Sequence, residues 1–168
     1  MRQRITAVEQ GFTLLEAMVA LGIVALLLFI AVPSFNAVRL SATLTEVTNE
    51  LVASVQLARS ESIKRNGVAR LCASTDGATC STSGGFSNGW VVLDAANNVL
   101  LSRPAVDSSY RVTASGGLKL LVFYPSGMGA TTASFTICRH QPLGQQQRVL
   151  DVGPTGGTRI TRTEASSC

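Results

Sequence analysis

A glutamate beside a long apolar run is the first residue in this chain that needs a chemical explanation. Residues 17–32 carry no charged side chain, and Glu16 stands at the start of that run, after the short basic segment MRQRITAVEQ. A carboxylate in a membrane helix costs about 2.5–3.5 kcal/mol at the helix centre and less near an end, and it needs a partner. Glu16 therefore needs a cation close to it as an ion-pair partner.

A cut in the chain would supply that cation. Cleavage of the peptide bond between Gly11 and Phe12 leaves an ammonium group on Phe12, four residues before Glu16. Unit charges about 4 Å apart attract by about 4 kcal/mol at an effective dielectric constant near 20, which offsets much of the burial cost. The carboxylate of Glu16 would then meet the amine of its own helix or that of a neighbouring subunit.

The apolar run is long enough to enter a membrane. A helix over residues 12–32 spans about 30 Å at about 1.5 Å per residue, which matches a bilayer core. Arg2 and Arg4 favour a cytoplasmic N-terminus. A cleaved signal peptide is the alternative, because the residues VPS, which end at Ser34, form an acceptable cleavage site. The length of the run and its carboxylate oppose that alternative.

These residues resemble the N-terminus of type IV prepilins, in which a short basic leader precedes an apolar helix; the matching positions are Gly11, Phe12, Thr13, Leu14, Glu16 and Pro33. The resemblance implies cleavage after Gly11 by the prepilin peptidase, N-methylation of Phe12, and assembly through the helix, with Glu16 and Pro33 as assembly residues. It also implies a single pass through the bacterial inner membrane with a periplasmic head, followed by an extracellular place in a pilus.

The helix is expected to continue past the membrane run. Apolar residues recur at spacings of three or four, which gives the helix one apolar face, and they are Leu44, Val47, Leu51, Val55 and Ala58. The residues RNG at 65–67 predict its end near Lys64. Pro33 has no N–H group, so it either kinks this helix or divides it into two.

After Gly67 the apolar period changes to two, which indicates short strands between turns rich in Gly, Pro, Asn and Ser. Strands are predicted at 68–72, 90–94, 98–102, 110–114, 118–124, 134–139, 148–152 and 158–163. Antiparallel meanders are expected, with an exposed irregular loop at 74–89. The fold class is therefore α+β.

Together with the resemblance, this pattern predicts a type IV pilin fold with three parts. Residues 1–11 are the leader peptide. Residues 12–65 form the N-terminal helix, with a hydrophobic half (a transmembrane segment at about 12–33) and then an amphipathic half. Residues 66–168 form a globular head rich in antiparallel β-structure, on which the amphipathic half packs.

Four cysteines follow the apolar run, and none belongs to a CxxC pair, so their spacing gives no signal for zinc. In an oxidising compartment they are expected to form disulfides. Three connectivities are possible. The favoured one joins Cys72 to Cys80 in a short loop and ties Cys138 to the C-terminal Cys168.

The head is similar to the GspH/FimT family of minor pilins and pseudopilins, in the segments LARSESIKRNGVARLC (57–72), GWVVLD (89–94), FYPSGMG (123–129) and FTICR (135–139). This resemblance implies a minor pilin that primes a type IV pilus or sits in its tip complex. The implied partners are other minor pilins, the major pilin, a tip adhesin and the inner membrane. A minor pseudopilin of type II secretion is an alternative function.

A DNA-binding minor pilin for natural transformation is a further alternative, carried by Arg139, Arg148, Arg159 and Arg162. DNA-binding FimT-like proteins carry a Gly-Arg-x-Arg motif near the C-terminus, whereas this chain reads GGTRITR. On an alternating strand Arg159 and Arg162 would face opposite sides, so a solvated or salt-bridged surface is favoured over a DNA site.

No catalytic residue, cofactor, metal site or small-molecule substrate is predicted. His140 is the only histidine, so a typical zinc site cannot form, and no Ser-His-Asp arrangement is evident. The pairs of glycines mark turns rather than a phosphate-binding loop. The acidic residues Asp94, Asp107 and Asp151 are expected to cap turns or face solvent.

Overall fold

The computed structural model describes residues 13–128, 130–164 and 168, without the side chains of residues 30–34 and 37. The chain divides into two compact units, Met1–Arg39 and Leu40–Cys168. The predicted leader and the predicted cleavage site at Gly11 and Phe12 lie outside the described residues.

One helix, α1 (Leu14–Lys64), accounts for the predicted apolar and amphipathic segments. It ends at the residues RNG as expected: Asn66 adopts a φ of 50°, and the N–H of Gly67 donates to the carbonyl of Ser62 at 3.1 Å. The helical backbone continues through position 33, so the alternative of two separate helices is wrong.

Among the residues described, no helix is both long enough and apolar enough to cross a membrane.

The described part of the head contains two four-stranded sheets in which every pairing is antiparallel. The strands are β1 (Ala69–Ala73), β2 (Gly89–Leu93), β3 (Val99–Pro104), β4 (Tyr110–Ala114), β5 (Leu120–Phe123), β6 (Ala133–His140), β7 (Leu143–Val152) and β8 (Thr158–Glu164). The order is β3-β2-β1-β5 in one sheet and β4-β6-β7-β8 in the other. The strands β1-β2-β3 and β6-β7-β8 are antiparallel meanders, as predicted. They do not form one continuous meander, because β4 joins the second sheet before β5 returns to the first.

Two stretches differ from the predicted pattern. Strand β7 begins at Leu143 instead of position 148, because its polar first half, GQQQ, pairs with β6 without apolar alternation. The loop at 74–89 is not wholly exposed, since a 3-10 turn at Phe86–Asn88 buries Phe86. The ring of Phe86 meets that of Phe135 edge-on, with 4.9 Å between centroids. A single aromatic residue gives no period from which this burial could be read.

The core of the head lies between the second half of α1 and the two sheets. The predicted apolar face of the helix is buried there, and Leu40 extends it; the full set is Leu40, Leu44, Val47, Leu51, Val55 and Ala58. Trp90 of β2 is fully buried, and its Nε1 donates to Ser54 Oγ of α1 at 2.9 Å. The unit Leu40–Cys168 thus has the helix-on-sheet architecture predicted for a type IV pilin fold.

Both disulfides of the favoured connectivity are present. Cys72 is joined to Cys80, and this bond packs with Val91 and Leu93 in a small second core on β1 and β2. Cys138 of β6 is joined to the C-terminal Cys168. The second disulfide therefore ties the chain end that follows β8 to a strand two positions away in the same sheet.

Replacing Gly89 by alanine should destabilise the head by roughly 1–3 kcal/mol. Gly89 has a φ of 108°, and a Cβ there would lie 2.6 Å from the carbonyl oxygen of Arg103 on β3. Non-glycine residues adopt this backbone region only under strain. Denaturant unfolding followed by the fluorescence of Trp90, the only tryptophan, measures the loss.

Gly85→Ala is the matched control for Gly89→Ala. Gly85 has an extended backbone with a φ of −141°, and no heavy atom lies within 4 Å of a Cβ built there. The control should change the free energy of unfolding by less than about 0.5 kcal/mol. Equal effects of the two substitutions would contradict the tight approach of β2 and β3.

Candidate assembly site

The start of α1 is capped by a side chain of the predicted assembly segment. The hydroxyl oxygen of Thr13 accepts a hydrogen bond from the N–H of Glu16 at 3.2 Å, and the carbonyl of Thr13 accepts one from the N–H of Ala17 at 3.1 Å. Thr13 is thus the N-cap and Glu16 the third helical residue. The segment TLLE has the spacing of a capping box, a role for Thr13 that the sequence reasoning above missed.

Glu16 has two electrostatic reasons to occupy the first turn. Its side chain is exposed, and a carboxylate there interacts favourably with the positive end of the helix dipole. Phe12 directly precedes the capping residue Thr13 in the sequence. An amine created at Phe12 would therefore arise next to a helix end that already carries Thr13 and Glu16.

The helix surface over residues 17–29 is apolar on all sides. Every described side chain from position 13 to 29 is exposed, including eleven large apolar ones: Leu14, Leu15, Met18, Val19, Leu21, Ile23, Val24, Leu26, Leu27, Leu28 and Phe29. Soluble monomers rarely expose a contiguous apolar patch larger than a few hundred Å². Such a surface is typical of a helix that is covered by other apolar groups.

Pro33, the other predicted assembly residue, lies within the helical span of α1. Its side chain lies outside the described part of the molecule.

Two aspartates of the head, Asp94 and Asp107, accept hydrogen bonds that stabilise turns. Asp94 accepts hydrogen bonds from the N–H groups of Ala96 and Asn98 and from Asn98 Nδ2, and the bonds from Asn98 are the main reason that its pKa is lowered. Asp107 accepts from the N–H of Ser109, which lowers its pKa in the same way. Both residues have the turn-capping role expected from the sequence.

The four arginines of the predicted nucleic-acid site do not form one surface. Arg159 pairs in register with Asp151 on one face of the β7–β8 ladder, and Arg162 pairs with Arg148 on the other face. Arg139 donates from Nε to the carbonyl of Pro142 at 3.0 Å. Only Arg148 and Arg162 are register neighbours.

Arg148 is buried, with 7% of its surface exposed. Its Nη1 donates to Gln146 Oε1 at 3.1 Å and to the Gln147 carbonyl at 3.4 Å, and its Nη2 donates to Ser41 Oγ of α1 at 3.0 Å. Burial lowers the pKa of Arg148, and the positive charge of Arg162 lowers it further. This burial could not be predicted from the sequence, because an arginine in an exposed strand would show the same local pattern.

Comparison with solved structures gives two similar proteins of known architecture. The type IV minor pilin FimU of Pseudomonas aeruginosa is 20% identical, with a TM-score of 0.57 over 74% of this chain and 99% of FimU. The minor pseudopilin EpsH of the Vibrio cholerae type 2 secretion system is 12% identical, with a TM-score of 0.53 over 70% of this chain and 95% of EpsH. At these identities the likeness concerns the fold, and it confirms the type IV pilin fold.

Comparison with curated proteins gives no match. Two family models match the sequence. The model of the prokaryotic N-terminal methylation motif matches residues 7–32, which contain Gly11, Phe12 and Glu16. The model described as type II transport protein GspH matches residues 47–156, from the second half of α1 to the turn between β7 and β8. The chain therefore belongs to the GspH family and carries a prepilin-type methylation motif at its N-terminus.

Proposed function

We propose that this chain is a minor prepilin that becomes a subunit of a type IV pilus, in the complex that primes the pilus or occupies its tip. The prepilin peptidase cuts between Gly11 and Phe12, and Phe12 is N-methylated. Residues 12–33 hold the precursor in the inner membrane, with its N-terminus in the cytoplasm and its head in the periplasm. The same helix then enters the filament core.

The observation that carries this proposal is the apolar helix surface that follows the methylation motif. The exposed apolar side chains between Leu14 and Phe29 need a lipid cover before assembly and a helix cover afterwards. Glu16, at the capped start of the helix, would pair with the amine of Phe12 on a neighbouring subunit. The similar protein FimU is itself described as a type IV minor pilin.

The proposed role is structural and not enzymatic. The partners are other minor pilins, the major pilin and a tip adhesin, while the prepilin peptidase acts on the precursor. DNA binding has weaker support, because Arg148 is buried and Arg159 and Arg162 lie on opposite faces of their strand.

Piliation of a deletion strain tests the proposal. Deleting the gene should reduce surface pili, and the wild-type chain should be detected by immunoblot in pili sheared from complemented cells. Its absence from a sheared fraction that contains the major pilin would contradict a place in the filament. An unprocessed chain in a strain that lacks the prepilin peptidase controls for cleavage.

A minor pseudopilin of type II secretion is the second candidate, favoured by the description of the matched family model and by the fold shared with EpsH. In that case the deletion should abolish secretion of folded exoproteins and leave surface pili unchanged. Genes for minor pilins and a large tip protein beside this gene favour the pilus, whereas a secretion operon favours the pseudopilus.

A further inference from the structure

A pair of arginines on the second sheet has no acidic partner in the described residues. Four residues lie side by side across this sheet: Val112 of β4, Ile137 of β6, Arg148 of β7 and Arg162 of β8. The row therefore runs from two buried apolar side chains through a buried arginine to an exposed one at the sheet edge.

The guanidinium of Arg148 has more donors than the described head satisfies. A guanidinium carries five N–H groups, and described residues accept from Arg148 three times, through Gln146, Gln147 and Ser41. All three acceptors are neutral. Within residues 13–128, 130–164 and 168, no carboxylate oxygen lies within 4.0 Å of Arg148 or Arg162.

This arrangement is costly for the isolated subunit. Burial of a cation without a counter-ion is unfavourable, and the adjacent charge of Arg162 adds repulsion, in keeping with the lowered pKa of Arg148. Glu164 follows Arg162 by two positions on the same face, opposite Gln146, without forming an ion pair with either arginine. An external anion at this place would relieve both the burial and the repulsion.

We propose that Arg148 and Arg162 form a binding site for a carboxylate side chain of a neighbouring pilin subunit. The inference rests on the proposed function, which places other subunits around the head. Arg162 lies on the edge strand β8 and is accessible to such a subunit. A carboxylate that binds Arg162 lies on the same face of the sheet as Arg148, its register neighbour.

The geometry favours a protein carboxylate over the phosphates of DNA. Arginine binds carboxylates and phosphates alike with two parallel hydrogen bonds, so the number of cations decides between them. This site offers two guanidiniums in one register row and not a long basic stripe. A DNA backbone would need several exposed cations on one face. The next exposed arginine of β8, Arg159, points to the opposite face beside Asp151.

The test compares single variants of the full-length chain in piliated cells. Arg162→Gln and Arg148→Met should each lower the amount of this chain in sheared pili at least threefold, with whole-cell levels and Gly11 cleavage unchanged. Arg111→Gln should behave as wild type, because Arg111 is exposed on β4 at the other edge of the same sheet.

A charge exchange identifies the partner. Arg162→Glu should lower incorporation about tenfold. A photo-crosslinking residue at Ile160, which lies on the same face of β8 with 47% of its surface exposed, should capture a neighbouring pilin near one of its acidic residues. Replacing that acidic residue by lysine should restore incorporation of the Arg162→Glu chain.

Each result supports or overturns the pair. The proposed carboxylate site would be overturned if Arg162→Gln were incorporated like the wild type, or if Arg111→Gln lost as much incorporation. It would also be overturned if Arg162→Gln and Arg148→Met both had lower whole-cell levels. Normal incorporation with reduced DNA retention by Arg162→Gln cells would assign the arginines to phosphates instead. Absence of the wild-type chain from pili would instead refute the proposed function, which separates the two failures.

Discussion

Replacing Glu16 by glutamine should remove this chain from the pilus while leaving cleavage at Gly11 intact. The attraction between a carboxylate and an amine about 4 Å apart is about 4 kcal/mol at an effective dielectric constant near 20. A loss of about 1.4 kcal/mol already changes an equilibrium constant tenfold. We therefore expect at least a tenfold loss of the Glu16→Gln chain from sheared pili, measured by quantitative immunoblot against the major pilin.

Glutamine is the informative replacement because it separates charge from capping. Glutamine is as acceptable as glutamate at the last position of a capping box, so Glu16→Gln keeps the helix start that the hydrogen bond to Thr13 marks. Thr13→Ala does the reverse, keeping the charge and costing about 1 kcal/mol of cap. Near-normal incorporation of Glu16→Gln together with a large loss for Thr13→Ala would show that Glu16 acts in capping and not in charge pairing.

Removing the disulfide between Cys138 and Cys168 should cost the head more stability than removing the other one. The two bonds close stretches with sequence separations of 30 and 8 residues. In the chain-entropy account these separations correspond to about 3.6 and about 2.5 kcal/mol. The double variants Cys138→Ser/Cys168→Ser and Cys72→Ser/Cys80→Ser are compared by denaturant unfolding of the full-length chain in detergent.

The order of the two losses is the result that matters. A larger loss for Cys72→Ser/Cys80→Ser would show that packing of that bond on Val91 and Leu93 outweighs loop closure. The variants that lack Cys138–Cys168 should also release the end of the chain after β8, the strand that carries Arg162. Proteolysis near the C-terminus of these variants gives an independent measure of that release.

Local signals of the head were readable from the sequence because they are periodic. The stripe from Leu44 to Ala58 is the buried face of α1, and each predicted strand overlaps a strand of the structure. What could not be read is how the strands pair. The return of β5 to β1 depends on contacts between distant segments, and the alternation of side chains is the same in either sheet.

Positions that break a local pattern were missed for the same reason. Phe86 is a lone aromatic residue in a Gly- and Ser-rich segment, yet it fills the core against Phe135. The first half of β7, residues 143–147, has no apolar alternation, although it pairs with β6 and β8. The burial or pairing of such residues depends on the surrounding fold, and sequence periodicity does not predict it.

The residues of the candidate site also divide into those that the sequence predicted and those that only the fold reveals. Glu16 was conspicuous because a carboxylate beside an apolar run is costly, and Gly11 and Phe12 were found through the cation that Glu16 needs. The environment of Arg148 was hidden, since only the pairing of β7 with β8 and the approach of Ser41 bury it. Of the four predicted arginines, Arg148 is buried and Arg162 is its exposed register neighbour on the same face. Arg159 lies on the opposite face, and Arg139 bonds to the carbonyl of Pro142.

Mass spectrometry of the N-terminal peptide of this chain, recovered from sheared pili, distinguishes an assembled pilin from a protein released by signal-peptide cleavage. We expect a mature chain in the filament fraction that begins at N-methylated Phe12 and includes Thr13 and Glu16. A mature chain that begins near Asn36 and is absent from the filament fraction would contradict the proposed assembly. Such a chain would have lost the apolar first half of α1, through which assembly is proposed to occur.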